Sequence, residues 1–267
     1  MTDSKVSPTQ ASEAAPVEAK PAATIILLRD GEHGLEAQVL QKAPGKHFAG
    51  GALVFPGGKV EPGDMAFGGA IGEDRDEYSA LKIAAIREMF EECAILLARR
   101  PGATRIMDGS EVADCRAARP DTAILDLAAS VPFEPAADQL VRFTHWITPP
   151  TRPKRFDTHF FIAPAPDGQM TARVDGYEIV DAGWRRPIRM IEEVHAGKLK
   201  LVLPTLMNLI KLAKFATVED ALAATRGEDV VCIRPTRVKT SDGEYYDFPA
   251  EAGYGEITIP ATYLRSA

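Results

Sequence analysis

The 267-residue chain has only three cysteines, Cys93, Cys115 and Cys232, and no two of them form a CxxC pair. An odd number of widely separated thiols excludes a disulfide framework and a cysteine-based zinc site, and fits a reducing compartment. Long apolar runs are missing as well. The most hydrophobic stretch, residues 201–213, is interrupted by Pro204, Asn208 and Lys211 and falls short of the ~18 residues that span a bilayer. Residues 1–21 are rich in Ala, Pro, Ser, Thr and Glu and lack the basic segment followed by an apolar one that marks a signal peptide, so they are expected to form a disordered tail. Positive charge is in deficit: 31 Lys and Arg against 38 Asp and Glu leave a net charge of −7. That balance argues against duplex DNA or an anionic membrane as the main partner and points to a small molecule. What remains, 45% hydrophobic and 26% charged residues, is the composition of a folded protein with a core large enough to need no staple.

Structure is expected from Ala22, where Ala23-Thr24-Ile25-Ile26-Leu27-Leu28 is a short apolar run ending in the turn signal Asp30-Gly31. Leu35, Ala37 and Val39 alternate with Glu36 and Gln38, which suits a second strand paired to the first as a hairpin. A third strand over residues 52–55 leads into Pro56-Gly57-Gly58, and residues 64–77 read as a loop rich in glycine and acid. The longest helical pattern covers residues 79–99 and stops before Pro101-Gly102. Short helices are expected within 102–132. Strands follow over residues 140–148 and 155–164, then helices near 187–195, 205–215 and 218–225, and a strand over 229–233. Strands, a long helix, strands again and then helices predict an α+β sandwich in one domain, residues 22–267, and not a regularly wound parallel sheet.

Chemistry concentrates on the long helix. At 100° per residue, Glu88, Glu91 and Glu92 share an arc of about 100°, while Ile83, Ile86, Met89, Phe90 and Cys93 point the other way. An acidic stripe opposite an apolar one is by itself an ordinary solvated face. Like charges at i, i+3 and i, i+4 nevertheless cost a few tenths of a kcal/mol per pair, and only Arg87 adjoins them, so a bound cation would offset more. Clustered carboxylates suit Mg²⁺, and Gly58, directly after a strand, could offer its carbonyl as a further ligand.

The run Phe55-Pro56-Gly57-Gly58-Lys59-Val60-Glu61-Pro62-Gly63-Asp64, followed by Arg87-Glu88-Met89-Phe90-Glu91-Glu92-Cys93-Ala94-Ile95, resembles the Nudix box, G-x5-E-x7-R-E-U-x-E-E-x-G-U with U a bulky aliphatic residue. Gly58 takes the place of the glycine and Asp64 that of the first glutamate, whereas Arg87, Glu88, Met89, Glu91, Glu92 and Ile95 match the second half. Twenty-two residues separate Asp64 from Arg87 where the box has seven, an enlargement placed at about 65–79. Ala94 stands where glycine is usual and is expected to tighten helix packing.

The resemblance implies a Nudix-type α/β/α sandwich with a mixed sheet, an extra helical insertion at about 102–132 and C-terminal helices. It also implies Mg²⁺ or Mn²⁺ and hydrolysis of a diphosphate linked to another moiety. Carried over, Glu88 and Glu92 become metal ligands, Glu91 a ligand or an acceptor beside them, Arg87 the cation that orients the glutamates, and Gly58 a carbonyl ligand. Many relatives take their base from a glutamate before a tryptophan-bearing strand, and Glu178, six residues before Trp184, resembles it; an exposed loop acid is the equally ordinary explanation.

Thr144-His145-Trp146-Ile147-Thr148-Pro149-Pro150, Pro153-Lys154-Arg155-Phe156-Asp157-Thr158-His159-Phe160-Phe161 and Leu203-Pro204-Thr205-Leu206 are similar to the branch that contains the peroxisomal coenzyme A diphosphatases. The resemblance therefore covers residues 22–215. It implies cleavage of coenzyme A or an acyl-coenzyme A to 3′,5′-ADP and a 4′-phosphopantetheine product. Nudix action on ADP-ribose, NADH or nucleotide sugars is the alternative, as is a non-catalytic Nudix-like binding module. Arg152, Lys154 and Arg155 form the densest basic cluster and are candidates to bind substrate phosphate, with Phe156, Phe160 and Phe161 as an apolar wall. His33 reads as a turn residue, Trp146 and Trp184 as packing residues, and His145 and His159 as strand residues for which packing or a hydrogen bond is the ordinary explanation and metal ligation the lesser one. The ending Leu264-Arg265-Ser266-Ala267 is not a Ser-Lys-Leu-like address, so a cytoplasmic protein is expected, with a homodimer compatible with the reading.

Overall fold

The computed structural model describes residues 17–45, 50–70, 78–118, 124–128, 131–169, 178–254 and 257–264. The expected N-terminal tail lies outside these residues as far as residue 16. The chain opens with β1 (Lys20–Gly31) and β2 (Gly34–Lys42), the predicted antiparallel hairpin, followed by short β3 (Leu53–Val54) and β4 (Gly57–Lys59). Helix α1 (Pro62–Ala70) occupies part of what the sequence suggested was loop; Pro62 suits the first turn of a helix and Asp64 supplies the acid favoured there. The long helix is α2 (Ser79–Cys93). Then come β5 (Ala98–Arg99), α3 (Gly109–Ala118), α4 (Ile124–Ala128) and β6 (Glu134–Pro135), consistent with short helices within 102–132.

The second half carries β7 (Val141–Ile147), β8 (Phe156–Pro164), β9 (Ile179–Arg185), α5 (Pro187–His195), α6 (Leu203–Leu212) and α7 (Val218–Thr225). Proline in the first turn starts α5 and α6, and a reciprocal capping box between Thr217 and Asp220 starts α7. β10 (Cys232–Ile233) precedes β11 (Thr236–Thr240), β12 (Gly243–Asp247) and β13 (Ile259–Pro260), the last three forming a small antiparallel sheet beyond the last strand expected from the sequence.

The main sheet runs β10-β7-β8-β1-β2-β3, with β4 also on β1 and β9 also on β2; β1 with β8 and β7 with β10 are parallel, the other pairs antiparallel. β1 is central, which explains its unbroken apolar run. Ala23, Ile25 and Leu27 face a core built with α2 to α4, whereas Ile26 and Leu28 face a second core built with α5 to α7. The expected α/β/α sandwich is therefore present. Phe160 and Phe161 point into these two cores, Phe160 toward α5–α7 and Phe161 toward α2, so neither forms the apolar wall suggested for a ligand. Trp146 is core as expected, and Trp184 is half-buried beneath the Arg29 guanidinium, 4.6 Å from its ring centre.

Helix α2 ends at Cys93 and not at Arg99, because Ala94 adopts the left-handed conformation (φ 59°, ψ 24°) and donates its N–H to the Phe90 carbonyl at 2.8 Å. This is the helix cap that glycine usually provides. The alanine at this box position thus marks a strained cap. Ala94→Gly is expected to raise unfolding stability by about 1 kcal/mol, read from the urea midpoint, since an L side chain at positive φ costs on this scale.

Candidate active site

Two glycines seat α2 against the sheet. Gly58 pairs with Ala23 and Gly57 with Thr24 on β1. A Cβ on Gly57 would press into the Ala23 carbonyl and Thr24, and one on Gly58 would overlap the Glu88 carboxylate. The glycines are thus required by close approach, to β1 on one side and to a glutamate on the other. The Gly57 N–H donates to Glu92 Oε2 at 3.1 Å.

Arg87 is buried, only 3% exposed, and all of its guanidinium nitrogens have partners. Nε and Nη2 donate to the two oxygens of Asp64, each at 3.0 Å; Nη1 donates to Glu88 at 2.9 Å and Glu91 at 3.0 Å; Nη2 also donates to the Lys59 carbonyl at 2.9 Å. Asp64, wholly buried, additionally accepts the Glu61 N–H at 2.8 Å. The aspartate at the first glutamate position therefore anchors the arginine, which in turn holds two glutamates. Burial alone would lower the Arg87 pKa, but the hydrogen bond to Asp64 and the charge of Glu88 outweigh it and the guanidinium is held firmly charged.

The glutamates are held at a cost. Burial raises the Glu88 and Glu91 carboxyls above their ordinary range, against the opposing pull of Arg87. Glu92 is pushed up to about 8, first by burial and next by the charge of Glu88, with Lys42 and the Gly57 N–H opposing and Glu178 adding to the rise. This donor set fits a divalent cation: Glu88, Glu91 and Glu92 are carboxylates short of compensating charge, and the missing Cβ of Gly58 leaves room for one of them.

Glu178, just before β9, is 53% exposed, and its Oε1 accepts from Lys42 Nζ at 2.9 Å. The two residues are 136 positions apart in sequence. β9 pairs with β2, and a register shift between Gln41 and Lys42 lies at this point, while the Ala43 N–H donates to the Glu178 carbonyl at 2.8 Å. Bulges of this kind re-aim side chains beside functional sites. Glu178 thereby comes within electrostatic reach of Glu92. Lys42 was not singled out from the sequence; nothing local marks it, because only strand pairing gives it a role.

The basic cluster is not drawn into this arrangement. Arg155 donates through Nε to the Thr148 carbonyl at 3.0 Å and through Nη1 to the Val17 carbonyl at 2.5 Å, which ties down the segment before β1. Arg152 and Lys154 stay exposed in the turn between β7 and β8. His33 sits in the turn between β1 and β2, as expected. His145 and His159 lie on strands and face each other, a juxtaposition the sequence reading did not anticipate.

This sandwich, with a glutamate-bearing helix following a glycine pair set against the central strand, places the chain in the Nudix class. Within that class, the chain belongs to the family described as the NUDT19 Nudix domain, whose family model matches residues 68–212. The human acyl-coenzyme A diphosphatase NUDT19 is 25% identical over 84% of this chain and 73% of its own length. A Caenorhabditis elegans protein named as a nudix hydrolase is 27% identical over 66% of this chain; the chain spans 55% of that relative's length. Among solved structures, a Nudix hydrolase from Alicyclobacillus acidocaldarius superposes with a TM-score of 0.66 at 29% identity, covering 77% of this chain and 96% of that one.

Proposed function

We propose that the domain hydrolyses the diphosphate linkage of coenzyme A or an acyl-coenzyme A, giving 3′,5′-ADP and a 4′-phosphopantetheine product. The observation that carries the hydrolytic reading is Glu92, half-buried and within electrostatic reach of both Glu88 and Glu178, with Arg87 and Lys42 fixing those neighbours. The name of the human relative supports the substrate class. Glu88, Glu91, Glu92 and the Gly58 carbonyl would hold Mg²⁺ or Mn²⁺, which would neutralise diphosphate charge and make a bound water more acidic. Arg87 keeps Glu88 and Glu91 oriented, and Asp64 keeps Arg87 in place. Glu178, held by Lys42, takes the proton from the attacking water as one P–O bond to the bridging oxygen breaks. Arg152 and Lys154, exposed at the β7–β8 turn, are the proposed contacts for the 3′-phosphate; Arg155 supports that turn through its backbone hydrogen bonds. Among the described residues, no helix is long and apolar enough to cross a membrane.

The test is incubation with Mg²⁺ and, in parallel, coenzyme A, an acyl-coenzyme A, ADP-ribose, NADH and a nucleotide sugar, with products identified by mass. A much higher kcat/KM for ADP-ribose or NADH would overturn the substrate class and leave the reaction type standing. No Mg²⁺-dependent phosphomonoester from any of the five would point to a binding module. Glu178→Gln is expected to lower kcat by about 10² to 10⁴-fold with little change in metal affinity, as removal of a general base does. A rate within a few-fold of the parent would place the base elsewhere.

A further inference from the structure

Outside the glutamate helix, two histidines and an aspartate converge on the same face of the sheet. His145 on β7 lies opposite His159 on β8, and their rings stack with centroids 3.9 Å apart at 17°. Asp157 precedes His159 by two residues, so the strand repeat puts both on one face. Asp157 Oδ1 is 2.5 Å from His145 Nε2 and 3.7 Å from His159 Nε2. One potential ligand atom from each residue lies within 4.8 Å of the other two.

We propose that His145, Asp157 and His159 form a binding site for Zn²⁺, separate from the glutamate site. Three arguments converge. Ligand bonds of about 2.0–2.1 Å at the tetrahedral angle put neighbouring donors about 3.4 Å apart; Asp157 lies 2.5 and 3.7 Å from the two Nε2 atoms, and the stacked imidazoles would turn about their side-chain torsions to direct both lone pairs at one ion. Two imidazoles and one carboxylate suit a borderline-soft ion, whereas Mg²⁺ prefers oxygen, so the two sites select different metals. The backbone is also preorganised, because all three residues sit on paired strands of the main sheet.

The surroundings fit an accessible site with an open coordination position. The histidine side chains are largely covered, and Asp157 is 35% exposed, which leaves one side for entry and for water. Tyr78, just ahead of α2, lies 5.5 Å from the His159 ring and carries the Arg142 guanidinium 3.8 Å over its own ring. On the other side, Cys232 on β10 is paired with His145. Along the row of paired residues, His159 neighbours Ala23 and Ala23 neighbours Gly58. Two strand spacings, about 10 Å, therefore separate the cluster from the glycine that seats Glu88.

The experiment uses the full chain carrying Glu88→Gln and Glu92→Gln, so that the acidic site does not compete, dialysed against Zn²⁺ with excess Mg²⁺. One Zn²⁺ per chain is expected to be retained. His145→Ala and His159→Ala should each abolish retention, and Asp157→Asn should weaken it at least tenfold. Because a histidine variant could misfold, the unsubstituted chain provides a second measurement: Zn²⁺ should protect His145 and His159, but not exposed His33, from diethyl pyrocarbonate, read by peptide mass. Complete displacement by Mg²⁺, undiminished Zn²⁺ in both folded histidine variants, or equal modification with and without Zn²⁺ would each overturn the proposal.

Discussion

Glu92→Gln is expected to lower kcat by on the order of 10³-fold or more while leaving the domain folded, because it removes a charge the reaction needs and the fold does not. The glutamine oxygen can still accept the Gly57 N–H, so the contact between α2 and β4 survives. The same change should alter stability in a predictable direction. Glu92 titrates at about 8 in the folded protein against an ordinary 4.5. The folded state therefore holds a proton that the unfolded state has released, and metal-free stability is fully present below about 4.5. It falls as pH rises through about 8, by up to about 1.4 kcal/mol per pH unit. Thermal unfolding without metal should show this decline in the parent and a shallower one in Glu92→Gln, with Mg²⁺ raising the Tm of the parent more than that of the variant. An active variant at ordinary Mg²⁺ would remove the metal assignment.

Arg87→Met should be the most destabilising single change at the site. It would strand the wholly buried Asp64 carboxylate without its cation and release Glu88 and Glu91 from their shared donor. Breaking one side of a buried ion pair typically costs about 3–5 kcal/mol, a large part of the ~5–15 kcal/mol that holds a domain together. Arg87→Met combined with Asp64→Leu should recover part of that loss, since removing both charges spares the uncompensated one. Urea unfolding of the two variants measures both values. A loss below about 1 kcal/mol in the single variant would mean that Asp64 finds another partner and that Arg87 is not its anchor.

Where local pattern carries the physics, the sequence was a sufficient guide. The apolar run of β1, the alternation in β2 and the stripe of α2 each reflect a periodicity visible within a few residues, whereas the proline start of α6 lay two residues ahead of the helix expected from 205. The box motif was legible for the same reason, since Arg87, Glu88, Glu91 and Glu92 share one helix. Even so, α1 hid in a segment rich in glycine and acid, and α2 was read too long because an alanine occupies the left-handed cap normally signalled by glycine.

Acidic composition, the absence of a long apolar run and the glutamate stripe beside a single arginine were fixed by the order of residues alone, and with them the class of chemistry. Only the tertiary structure decided that Asp64 is the buried anchor of Arg87, that Lys42 holds Glu178 near Glu92, and that Arg155 serves the backbone of its own turn. It also brought His145 opposite His159. These outcomes depend on strand register and on which surfaces are left to compete for each charge. Register is set by burying both faces of a sheet at once, a condition spread over the whole chain and invisible in any short stretch of it.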